Sequence, residues 1–62
     1  MLRGREILFE FVPVGGLVRV SAIDAATGVE VTLSAPAGGR QADLERIAAA
    51  KLAYRLRRDG LV

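Results

Sequence analysis

Two turn signals constrain this chain more than anything else in it, because both place the same residues on one face. Gly15-Gly16 separates two runs rich in β-branched and aromatic residues. A glycine pair there predicts a two-residue hairpin, since the primed turns that suit strand twist need positive φ. Before it, Ile7, Phe9 and Phe11 alternate with Leu8, Glu10 and Val12, which is the period of a strand over about 6–14. Closing the hairpin sets Val14 opposite Leu17, Phe11 opposite Val20 and Phe9 opposite Ala22, in a second strand over about 17–24. A slip of one residue would turn every side chain to the wrong face, so the register is tightly specified. The second turn is Asp24-Ala25-Ala26-Thr27-Gly28. It reads as a type I turn with a bulge, Asp24 bonding its own loop backbone and Gly28 taking the left-handed position. Pairing Asp24 with Val29 puts Ala22 opposite Val31 and Val20 opposite Leu33, in a third strand over about 29–35. Both turns therefore agree on a core face of Phe9, Phe11, Val18, Val20, Ala22, Val31 and Leu33.

Pro13 cannot donate to a ladder, so the first strand is expected at a sheet edge. Ala35-Pro36-Ala37-Gly38-Gly39 breaks the strand pattern. Strong helix formers follow, predicting a helix over about 41–58 with acidic residues early and Lys51, Arg55, Arg57 and Arg58 late, as the helix dipole favours. Gly60 marks its end. Leu44, Ile47, Ala48, Leu52 and Leu56 are the expected covering set, with Ala49, Ala53 and Tyr54 to the sides. The fold class is α+β: a three-stranded antiparallel meander packed against one C-terminal helix, order β-β-β-α, as a single domain over 1–62.

Such a small domain has a marginal core, burying only about 60% of the surface its unfolded chain exposes. The sequence contains neither Cys nor His, which removes disulfides, zinc sites, catalytic triads and most metal chemistry. The remaining candidates are weak. Lys51 sits among arginines rather than in a desolvated pocket, so it reads as a solvated helix residue. Glu10 and Glu30 fall on the two outer strands, roughly 10 Å apart, as ordinary strand carboxylates. Gly38-Gly39-Arg40 before a helix suggests anion binding, but it lacks the P-loop pattern and reads better as a linker. No enzyme activity, cofactor or metal is expected. No run approaches the ~18 apolar residues of a membrane span, and residues 1–6 lack the apolar core of a signal peptide, so a cytoplasmic location is expected. Eight of the nine basic residues are Arg, which with the Ala, Gly and Val content suggests a GC-rich bacterial genome.

A hydrophobic fraction of 52% is high for this length, and points to a second buried face shared with a copy of the chain or another protein. The outer sheet face is the first candidate: Leu8, Glu10, Val12, Arg19, Ser21 and Ile23, with apolar ends and a polar middle. An exposed strand edge is another, the third strand being the better one because Pro13 guards the first. The leading expectation is a non-enzymatic interaction or accessory module, homo-oligomeric and most simply a homodimer. The alternative is nucleic-acid binding through Lys51, Arg55, Arg57 and Arg58, joined in space by Arg3 and Arg5. A third reading makes the chain an accessory subunit of an enzyme. A net charge of +2 is a weak footprint for a dedicated nucleic-acid binder.

In architecture the chain resembles the three-stranded DNA-binding domains of phage-type integrases and of plant AP2-type factors, whose sheets enter the major groove. That resemblance implies DNA contacts from the sheet. The outer face here departs from it, offering Arg19 against two glutamates. Ile7 to Gly15, Val18 to Asp24, Thr27-Gly28 and Lys51 to Tyr54 also look like short bacterial proteins carrying only a domain-of-unknown-function label, which implies no activity or site residue.

Overall fold

The structure, a computed structural model, describes residues 4–62. Strands β1 (Ile7–Val14), β2 (Leu17–Asp24) and β3 (Glu30–Pro36) are followed by helix α1 (Gln41–Arg58). The sheet is antiparallel with order β1-β2-β3, so β2 is central and both other strands are edges. Every pair expected from the two turns is present, from Val14 opposite Leu17 to Ala22 opposite Val31.

The turns explain the register. Gly15 has φ 61° whereas Gly16 has no positive φ, the pattern of a type II′ turn. The second loop differs from the expected type I turn with a bulge. The Gly28 N–H donates to the Asp24 carbonyl at 2.8 Å and the Asp24 N–H to the Val29 carbonyl at 2.9 Å. The loop closes on the expected Asp24–Val29 pair with Gly28 left-handed at φ 77°, but a bond between residues four apart, Gly28 to Asp24, stands where a type I turn would join residues three apart.

α1 lies across β2 and β3 and barely reaches β1. Val20, Ala22, Val31, Leu44, Ala48, Leu52 and Leu56 form the buried core, and Phe9, Phe11, Val18 and Leu33 pack partly buried around it. Two helix positions differ from expectation. Ile47 is 52% exposed, whereas Ala53 is buried. The Lys51 ammonium donates to the Thr32 carbonyl of β3 at 2.6 Å, which marks the side of the helix that faces the β3 edge. Ile47 is one turn from Lys51, on the flank over the β3 edge, while Ala49 and Ala53 lie on the opposite flank, towards β1. Small residues suit that flank because the Phe9 and Phe11 rings rise from the inner side of β1.

α1 ends in a Schellman motif. The Leu61 N–H reaches the Leu56 carbonyl at 2.8 Å, the Gly60 N–H reaches Arg57 at 3.1 Å, and Gly60 has φ 73°. Its start is plainer: Arg40 occupies the N-cap and makes no side-chain capping bond.

Candidate functional site: the uncovered sheet face

Alternation along each strand sends Leu8, Glu10, Val12 and Val14 of β1, and Leu17, Arg19, Ser21 and Ile23 of β2, to the side away from α1. Glu30, Thr32 and Ser34 of β3 complete that face. Leu8, Val12, Val14 and Leu17 are each 47–49% exposed. They are four of the eight exposed large hydrophobics among the described residues, gathered on one side of one small sheet. The face is ordered in rows. Val14 pairs with Leu17 at the hairpin end and Leu8 with Ile23 at the other. Between them lie Val12 beside Arg19, and Glu10 beside Ser21 and Thr32. Ser21 is only 7% exposed, and its hydroxyl shares a 3.3 Å hydrogen bond with that of Thr32. Glu10 and Arg19 are diagonal neighbours, yet neither makes an ion pair among the described residues. All six residues expected on this face thus share it.

The sheet edges are less open than the face. Hydrogen bonding alternates from the Val14–Leu17 pair, so Pro13 turns its ring nitrogen outward and removes one donor from the β1 edge. On β3 the same alternation, counted from the Asp24–Val29 bond, turns Glu30, Thr32, Ser34 and Pro36 outward. Pro36 has no N–H, and Lys51 occupies the Thr32 carbonyl. The expected preference of a partner strand for β3 therefore loses its basis. The signal for this lay in Lys51, but its acceptor is a backbone atom that no side-chain pattern displays.

Lys51, Arg55, Arg57 and Arg58 share the last turns of α1 without forming one patch. Lys51 is held by Thr32, Arg55 pairs with Asp59 at 2.9 Å and Arg58 with Asp59 at 3.4 Å. The Arg55 hydrogen bond, more than any other contact, lowers the Asp59 carboxyl below its ordinary value, with Arg58 adding to it. Arg57 lies round the other side of the helix from Lys51. Arg3 lies outside the described residues.

Arg5 does something the sequence did not reveal. It donates to Asp24 Oδ2 at 2.7 Å and to the Leu61 carbonyl at 3.0 Å, so it ties the second loop to the end of α1. Asp24 is fully buried. The Thr27 hydroxyl donates to the same Oδ2 at 2.7 Å, and itself accepts the Val29 N–H at 3.2 Å. That hydroxyl is the main reason the Asp24 carboxyl titrates below its ordinary value. Burial opposes the shift, while Arg5 and the Thr27 and Ala26 amides reinforce it. Asp24 Oδ1 is buried without a hydrogen bond among the described residues. Gly4, Arg5, Glu6, Ala25, Ala26 and Thr27 rim an open depression of about 580 Å³ beside this cluster. Arg5 and Asp24 satisfy one another's charge there, which leaves Glu6 as the carboxylate on the rim outside that pair. Among the described residues no three acidic side chains converge as a metal site would need, and no helix is long and apolar enough to cross a membrane.

Among the described residues, fold and surface together define a small β-β-β-α module with one sheet face covered by α1 and the other bare. Residues 4–59 match DUF6898, a domain of unknown function, and the chain belongs to that family. No curated protein and no solved structure matches it.

Proposed function

We infer that this chain is a non-catalytic protein–protein interaction module that works as a homo-oligomer in the bacterial cytoplasm and docks through its outer sheet face. One observation carries this reading: among the described residues, α1 covers one side of the sheet, while the other holds half of the exposed large hydrophobics with no element above it. Two exposed apolar clusters on one sheet face, with polar side chains between them, are the kind of surface that supports an interaction site. The absence of Cys and His from the sequence agrees with a module that acts by contact. Nucleic-acid binding through the end of α1 has less support, since Lys51, Arg55 and Arg58 already hold partners within the chain.

Affinity capture from the native lysate, with and without nuclease, separates the two. Proteins retained after nuclease by the parent chain, and lost with Ile23→Asp or Leu8→Asp, support docking through this face. Recovery that collapses with nuclease, falls steeply with salt, and vanishes when Arg55, Arg57 and Arg58 become Glu would replace it with nucleic-acid binding.

A further inference from the structure

We propose that the outer sheet face packs on the same face of a second copy, through a two-fold axis lying in the interface and running across the strands. The proposal rests on reading this face as the docking surface, and it names the occupant.

The pattern of the face selects the axis. A two-fold parallel to the strands and centred on β2 would lay β2 on its counterpart row by row. Arg19 would then meet Arg19 of the second copy, and Leu8 would meet Glu30. Like charges brought together in this way are penalised. A two-fold across the strands keeps β2 over β2 but reverses the rows. Val14 and Leu17 then cover Leu8 and Ile23 of the second copy, and symmetry repeats that contact at the other end. Arg19 comes beside Glu10 of the second copy, twice. An isologous contact needs a surface complementary to itself, and this arrangement supplies it in both apolarity and charge. A guanidinium and a carboxylate together span the roughly 10 Å between stacked sheets. Both side chains have no ion-pair partner among the described residues and are free to make the exchange.

Size sets the strength. Three strands about 4.8 Å apart and some eight residues long at about 3.3 Å each give a footprint of roughly 14 by 26 Å. Two copies then bury about 700–800 Å², below the ~1,200–2,000 Å² of stable specific interfaces. An interface of that size belongs with weak, reversible contacts.

Sedimentation equilibrium of the full chain from about 10 μM to 1 mM tests this, with folding checked by circular dichroism. Concentration-dependent dimer is expected. Arg19→Glu and Glu10→Arg should each weaken it about tenfold, and the double variant should recover most of the loss. Leu17→Asp should abolish it, and Tyr54→Glu on the solvent side of α1 should leave it intact. A folded monomer at every concentration overturns self-pairing. So does a dimer indifferent to Arg19→Glu, or one dissolved by Tyr54→Glu, which would move the contact to the helix. The docking reading fails separately, when Ile23→Asp and Leu8→Asp leave every captured protein in place.

Discussion

Asp24 shows how much a single side chain can hold in a chain without disulfides. It fixes its own loop through Thr27, accepts Arg5, and through Arg5 reaches the carbonyl of Leu61 beyond the helix. Because its folded pKa is depressed, its ionised form stabilises the fold above the carboxylate's ordinary value of 3.8, and that contribution is lost as pH falls through the lower folded value. Thermal melts from pH 6 down to about pH 2 should therefore show a falling midpoint below about pH 4. Thr27→Val should narrow the difference between the two ends by removing the main cause of the shift. The adjacent glycines of the first turn make a sharper contrast. Gly15 has φ 61°, where an L side chain is strained, so Gly15→Ala should cost roughly 1–2 kcal/mol. A Cβ on Gly16 meets nothing within 4 Å and needs no unusual φ. Gly16→Ala should be neutral or stabilise by about 0.4–1 kcal/mol through the unfolded chain. Chemical denaturation of the two variants checks both signs.

α1 is the element that sequence reasoning read least well, and the reason is geometric. Its limits were legible from helix formers and from Gly60, and its order in the fold from the breaker at Pro36 to Gly39. Its rotation was not. A wheel built from hydrophobicity favours Ile47 over Ala53, but α1 sits off-centre over β2 and β3. The flank facing Phe9 and Phe11 then needs small side chains, and Ile47 turns outward. The helix also begins poorly. Arg40 as N-cap leaves the first amides without a side-chain acceptor and puts a cation near the positive end of the dipole. Arg40→Asp should stabilise the domain by about 1 kcal/mol, raising the melting midpoint by roughly 4–8 °C for a domain of this size. An unchanged midpoint would mean that the first turn of α1 is already frayed in the folded state.

At the scale of the molecule, the sheet was readable because two independent local signals converged. Turn chemistry and period-two alternation had to agree on register, and they did for every pair from Ile7 with Asp24 to Ile23 with Glu30. The six residues of the outer face followed from the same alternation. The Arg5 link and the Lys51 bond to Thr32 did not, because each joins distant parts of the chain and ends on a backbone carbonyl. Neither leaves a periodic trace in the sequence.

The guarded edges bear on what a crowded solution of this protein becomes. A sheet grows into fibres when each new strand finds an open ladder and leaves another behind it. Pro13 removes a donor near the hairpin end of one ladder, and Pro36 with Lys51 takes a donor and an acceptor from the other, so each edge offers a newcomer only a shortened run of free groups. Shortened ladders weigh against filaments, and the polymerisation hazard of a short apolar sheet is reduced by two rings and one ammonium group.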